Sequence, residues 1–250
     1  MTAIVFGSLP FPGQSGDQLV SKAVTGAIGS LFKRTEKLEA NVKAEPLAKL
    51  LQGSVDGFDF VGNGLVMYNG LRLEGMELYL QAVSIDFSAV FSGKVRLRQP
   101  TQATMRIVLT QQDLTTSFNT PFIVDKLQKV QYEGNNLHFQ NTEFNINPDK
   151  SIDLRSEVGL GSDGDIIPIS IKANMELEGR TKIKFTNPTF HGDEKAQSLS
   201  EVLINHVNNL LDLDKFALDG SRLKVDQLRV KDQEVVFYGT LEIDRFPNKK

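Results

Sequence analysis

The chain has 250 residues, no cysteine and a formal net charge of -3, from 28 Lys and Arg against 31 Asp and Glu. Without cysteine there is no disulfide scaffold and no thiolate metal site, and the mild acidity argues against a nucleic-acid partner. At 40% hydrophobic and 24% charged residues the chain reads as globular, with no apolar run near the ~18–20 residues that span a bilayer.

The first residues, Met1 to Pro12, have no basic n-region and only a short apolar run. No leader is therefore expected in the sequence as it stands, which places the protein in the cytoplasm, soluble or peripheral to a membrane, or in the envelope had a leader been removed. Residues 1–16 read as a flexible tail, with a greasy foot of Ile4, Val5, Phe6, Leu9 and Phe11 as the alternative. From Asp17 to Phe32, apolar residues that include Val24 and Ile28 recur at three- and four-residue steps, which predicts an amphipathic helix. Gly26 and Gly29 weaken its intrinsic propensity, so close packing against another element is expected. Leu38, Ala40, Val42 and Ala44 then alternate with polar residues as in a half-buried strand. Pro46 opens a short helix that Gly53 ends.

A long series of alternating strands follows. Leu71 and Leu73 share a phase that Met76, Leu78 and Leu80 leave after Gly75, which predicts a bulge or a sharp bend. Val83, Ile85 and Phe87 alternate with polar residues, as do Ala103, Met105, Ile107 and Leu109. Ile152 to Val158, Ile167 to Leu177 and Val235 to Ile243 repeat the habit. One wet face and one dry face imply antiparallel pairing. Thr110 to Leu114 has the spacing of a capped helix start, Thr120-Pro121 opens another turn or helix, and Ser198 with Glu201 forms a capping-box signature before a second long helix. No Pro/Ser-rich linker divides the chain, so residues 17–246 read as one domain.

Ten strands span about 48 Å, whereas a helix is only ~10 Å wide. Two long helices cannot cover so broad a face while the sheet stays flat. The expected class is α+β, with a strongly curved, mostly antiparallel sheet wrapped around one or two long amphipathic helices. A β-sandwich with flanking helices is the alternative. A curled sheet around so little helix leaves an elongated apolar groove, for which Val24, Ile28, Val83, Ile85, Phe87, Met105 and Ile107 are the candidate lining. Such a lining suits acyl chains, at roughly 0.8 kcal/mol per buried methylene. A dry, fully packed core predicts the same periodicity, and on that alternative the protein is an interaction scaffold whose protein partner is unknown.

Catalytic signatures are missing. His138, His191 and His206 are far apart, and His206 on its apolar stripe reads as a core histidine. There is no nucleophile elbow, P-loop or dinucleotide fingerprint; Gly62-Asn63-Gly64 reads as a turn, and Gly161 to Asp165 as a tight hairpin rather than a calcium loop. No catalytic residue, metal or cofactor is expected. Two cationic ladders, Lys94-Arg96-Arg98 and Arg180-Lys182-Lys184, are either solvated faces or attractors of anionic headgroups at about 1 kcal/mol per cation. The segment from Phe118 to Ile123, with Phe122, is either a membrane-dipping tip or a helix–helix corner.

Several short motifs also occur in a familiar order. They are Leu50-Leu51-Gln52-Gly53-Ser54-Val55-Asp56, Gly64-Leu65, Leu71-Arg72-Leu73-Glu74, Val83-Ser84-Ile85-Asp86, Pro100 and Val108-Leu109-Thr110-Gln111-Gln112-Asp113-Leu114. In that order they resemble the bacterial LmeA-type phospholipid-binding family, from about Asp17 to Ile243. The resemblance implies a fold similar to the tubular lipid-binding (TULIP) superfamily, and phospholipid binding without catalysis, with lipid transfer or membrane lipid homeostasis as the role. The implied partners are a phospholipid or other acyl lipid and a membrane surface, with no nucleic acid. Lys94, Arg96, Arg98, Phe118 and Phe122 are then the candidate headgroup and membrane contacts.

Overall fold

The computed structural model describes residues 21–245, apart from 23, 27, 47, 91–95, 162–164 and 214–219. The expected N-terminal tail, Lys94 and the tip of the hairpin after Gly161 lie outside the described residues, as does the side chain of Phe87. The first helix, α1 (residues 21–29), is helical at every described position. Later helices are α2 (Ala48–Leu51), α3 (Phe87–Val90), α4 (Gln111–Phe118), α5 (Pro121–Leu127) and α6 (Glu194–Leu210).

The described strands form two open antiparallel sheets rather than one wrapped sheet. The first, in spatial order, is β1 (Lys37–Lys43), β2 (Ser54–Val66), β3 (Arg72–Ser84), β4 (Thr101–Thr110), β11 (Glu234–Ile243) and β10 (Ser221–Lys231). The second is a meander of β5 (Gln131–Tyr132), β6 (Asn135–Ile146), β7 (Ile152–Leu160), β8 (Ile166–Glu178) and β9 (Lys182–His191). The division has a simple cause. β11 pairs with β4 along its whole length, from Glu234 opposite Thr110 to Ile243 opposite Thr101, so no edge of β4 is left for the strands that follow it. The two sheets share one apolar core, in which Val225 of β10 joins Leu154 of β7 and Leu199 of α6. The Phe118 and Phe144 rings meet there with centroids 4.5 Å apart.

The change of apolar phase near Gly75 is present, but it is not a slip in register. β2 and β3 keep one pairing from Ser54 opposite Ser84 to Val66 opposite Arg72. Both strands change phase together, where Gly64 (φ +56°) and Ala82 (φ +51°) interrupt the pleat. Gly62-Asn63-Gly64 is therefore strand rather than turn. At Gly64 a Cβ would lie 2.4 Å from Cγ of Glu36, so only glycine admits both the left-handed backbone and the crossing side chain.

Helices seal the sheet edges with side chains, which is how these strands avoid presenting bare amides. On α1, Thr25 Oγ1 accepts from the Ala40 amide at 3.1 Å and Ser21 Oγ from the Val42 amide at 3.2 Å. Along α4 and its C-cap, Gln111, Thr115 and Asn119 accept from the amides of Ile146 (3.2 Å), Phe144 (3.0 Å) and Thr142 (3.0 Å) on β6. The lattices match because four helical residues rise about 6.0 Å and two strand residues about 6.8 Å. On α6, Asn208 accepts from the Phe185 amide at 2.7 Å and donates to its carbonyl at 3.1 Å, closing the edge of β9. Thr115→Val keeps the shape and deletes one such bond. It is expected to cost about 1 kcal/mol, read by denaturant unfolding, and to speed amide exchange at Phe144.

The Thr110 capping box forms as expected, with Asp113 at its third position. The start of α6 differs from expectation: Asp193, not Ser198, is the N-cap, accepting from the Ala196 amide at 2.8 Å. Ser198 therefore lies inside the helix, in its second turn.

A candidate apolar groove beneath the first helix

α1 hangs on the β1 edge by Ser21 and Thr25 and turns Val24 and Ile28 toward the apolar face of the first sheet. Between helix and sheet runs a greasy track in two widenings. The larger, about 70 Å³, has Ile28, Leu31 and Phe32 on the helix side, Phe58, Phe60, Met76, Leu78 and Leu80 beneath, and Leu241, Ile243, Ser221 and Arg245 at its far side. The smaller, about 30 Å³, is lined by Val24, Val42, Val55, Val83, Ile85 and Leu97. Phe58 and Leu80 line both, so the widenings adjoin. Phe32 and Phe60 stack across the track with centroids 6.4 Å apart. Leu31, Phe32, Phe58, Met76 and Leu241 are only half-buried, which means the crevice reaches solvent.

Size matters here. A closed apolar cavity that admits a benzene measures about 150 Å³. The track is smaller, so an acyl chain enters only if α1 swings outward from the sheet. Such a movement must break the Ser21 and Thr25 hydrogen bonds to β1, the bond from the Tyr68 hydroxyl to the Ser30 carbonyl at 3.0 Å, and the Val24 and Ile28 contacts.

Of the expected lining, Val24, Ile28, Val83 and Ile85 fall on this track. Met105 lies deeper, at 2% exposure, and half-buried Ile107 packs against the core; neither lines a widening. Phe58, Leu80 and Leu241 were absent from the expected lining, although the Phe58–Phe60 alternation carries the signal. The cationic residues are distributed differently from a strand ladder. Arg96 and Arg98 are exposed outside the regular strands, beside Leu97, whose neighbour across an isolated bridge is Ile85. The Arg98 guanidinium donates to the Gln52 carbonyl at 2.7 Å and lies over Gly53. In the other ladder Arg180 pairs with Asp226 at 2.6 Å and Lys184 with Glu178, so two of its three cations are already matched by carboxylates. Phe118 is buried against Phe144, and half-buried Phe122 has the Lys126 ammonium 4.9 Å from its ring centroid. That segment is the helix–helix corner, not a protruding tip.

A roomier cavity, about 350 Å³, opens between α4 and the outer side of β6 and β7. Its walls include Gln112, Glu143, Asn145, Asp153 and Arg155, a polar set with two carboxylates against one guanidinium. Neither an acyl chain nor a phosphate suits it. His206 sits far from any such opening in function: its Nε2 donates to the Lys126 carbonyl at 3.0 Å. Among the described residues no three His, Asp or Glu side chains gather as metal ligands, and no helix is long and apolar enough to cross a membrane.

The polar counterpart of the groove is the joint at the start of α4. Asp113, with a side chain 1% exposed, approaches Arg72 Nε at 2.7 Å. Nearby, burial and then the Asp113 charge hold the Glu74 carboxyl above its ordinary pKa. An acid whose folded pKa is raised opposes folding when ionised and ceases to do so once protonated. Glu74→Gln is therefore expected to raise the denaturant midpoint at pH 7. The advantage fades as pH falls through the raised pKa, and a constant advantage at every pH would contradict the assignment.

One family model, described as LmeA-like phospholipid-binding, matches residues 14–240. No curated protein and no solved structure matches the chain.

Proposed function

The chain belongs to the LmeA-like phospholipid-binding family, and on that premise we propose that it takes up the acyl chains of a phospholipid in the track beneath α1. The observation that carries this reading is the unbroken apolar lining from Leu241 through Phe58 and Leu80 to Ile85, open to solvent at its half-buried residues. Four or five methylenes leaving water there would contribute roughly 3–4 kcal/mol, enough to offset the loosening of α1. Residues 17–246 act as the single lipid-binding unit. The protein carries or presents lipid rather than transforming it, and it visits membranes peripherally. Exposed Arg96, beside the narrow end of the track, supplies a cation for an anionic surface, while the Arg98 guanidinium is engaged with Gln52.

The test is native mass spectrometry of delipidated protein after incubation with phosphatidylglycerol vesicles. The expected product is a one-to-one lipid adduct. A bare mass at every vesicle concentration would favour the packed interaction scaffold.

A further inference from the structure

At the wide end of the track the lining stops being purely apolar, because Ser221 and Arg245 border it beside Leu241. Arg245 is fixed there by its backbone: its N–H and that of Asp244 donate to the Gly220 carbonyl at 3.3 and 2.7 Å. Gly220 has φ +83°, and a Cβ on it would lie 2.4 Å from Cγ of Arg245. The missing side chain at Gly220 is what lets the arginine stem lie across the turn. Neighbouring cations are engaged otherwise. Arg222 approaches Glu242 at 3.4 Å and Asp244 at 3.8 Å, and Lys224 pairs with Glu242. No carboxylate among the described residues pairs with Arg245.

A guanidinium with no carboxylate partner among the described residues, on the lip of a greasy track, matches an amphiphile with a charged head. Its planar fork of N–H donors fits two oxygens of a phosphate, and arginine is preferred where that geometry matters. We propose that Arg245 binds the phosphodiester of a glycerophospholipid whose acyl chains run from it toward Phe58 and Leu80. This rests on the groove reading above and deepens it by naming the residue that reads the phosphate, so that a phospholipid is selected over diacylglycerol with the same tails.

The test compares capture of dioleoylphosphatidylglycerol and dioleoylglycerol by the full chain, by Arg245→Gln and by Arg245→Lys. The unmodified chain is expected to hold the phospholipid about tenfold more tightly, the effect of one charge-assisted hydrogen-bond pair at an exposed lip. Arg245→Gln removes that advantage and leaves dioleoylglycerol capture unchanged, which also shows that the variant is folded; Arg245→Lys retains part of it. Equal capture of both lipids by the unmodified chain, or an equal loss on both in Arg245→Gln, overturns the assignment while leaving the groove intact. Capture of neither lipid overturns the groove reading and the assignment together. Glycerophosphoglycerol, the headgroup without tails, is the third probe. If it binds as tightly as the whole lipid, the site serves soluble phosphate esters and the lipid assignment is overturned.

Discussion

Leu80→Phe lowers capture of a fluorescent phospholipid by more than about tenfold while leaving the fold intact. Leu80 lines both widenings of the track, so a larger side chain there takes up space where they adjoin. Excluding even two methylenes from the site forfeits roughly 1.6 kcal/mol, which is slightly more than a factor of ten in affinity. Enlarging a well-packed residue ordinarily costs 1–3 kcal/mol, about that range being typical for overpacked cores. Here the adjoining space of about 70 Å³ accepts the added atoms, and the unfolding midpoint should move little. The measurement is protection of an acyl-linked fluorophore from an aqueous quencher, with Ile166→Ser as the control. Ile166 is 57% exposed on the second sheet, and its loss should leave capture unchanged. Undiminished protection in Leu80→Phe would place the lipid elsewhere.

Asp113→Ala is expected to destabilise the protein by about 3 kcal/mol, because one carboxylate does two jobs where α4 joins the sheets. Its Oδ2 accepts from the Thr110 amide at 2.9 Å and from the Thr110 hydroxyl at 2.8 Å, closing the capping box. Its Oδ1 faces Arg72 Nε at 2.7 Å, although the approach is too bent to count as a hydrogen bond. Arg72 in turn donates its backbone amide to Ser117 Oγ at 3.1 Å, which ties β3 to the same helix. Removing the carboxylate leaves the Arg72 guanidinium with only Glu36, at 3.8 Å, as a partner, and that partner together with its 34% exposed side chain keeps the cost at the low end of the about 3–5 kcal/mol known for broken buried pairs. For a chain of this size the loss corresponds to a Tm lower by about 6–12 °C in calorimetry. Adding Arg72→Met should recover part of it, since the second change removes a charge left with only the more distant Glu36 carboxylate. A double variant worse than the single would show that the charge pairing is not what Asp113 contributes.

The sequence was most legible where alternation is unbroken. β4, β7 and β8 keep one apolar phase over most of their length, and their inward residues Ala103, Met105, Leu154, Ile169 and Ile171 are buried as alternation demands. The strands that pattern reading passed over are β2, β6 and β10. β6 shifts register between Gln140 and Glu143, with Asn141 at φ +51°, so Leu137 and Phe139 point inward on odd numbers and Phe144 and Ile146 on even ones. β10 shifts between Val225 and Gln227. β2 changes phase at Gly64. A period-two search loses each of them at its irregularity, and two of the residues lost with β2 are Phe58 and Phe60, on the floor of the track.

A two-sheet sandwich was only the alternative, and which strands fall in which sheet was hidden, because it depends on β11 returning to β4 from more than a hundred residues away. Four of the seven residues expected as lining, Val24, Ile28, Val83 and Ile85, lie along the track. The residues of α1 and those around Val83 and Ile85 follow from local amphipathicity alone, whereas Leu241 and Arg245 reach the track only through that long-range pairing. The i, i+4 series of Gln111, Thr115 and Asn119 forms no part of the sequence reading. Its purpose became apparent only with the amides of β6 spaced two residues apart alongside.

The most direct measurement is methyl NMR of the protein loaded with a phospholipid that carries a nitroxide midway along one acyl chain. Signals from Ile28, Leu80 and Leu241 should broaden strongly, while Leu154 and Ile171 in the second sheet stay sharp. Broadening confined to the second sheet, or none in the presence of bound lipid, would contradict a lipid chain lying under α1.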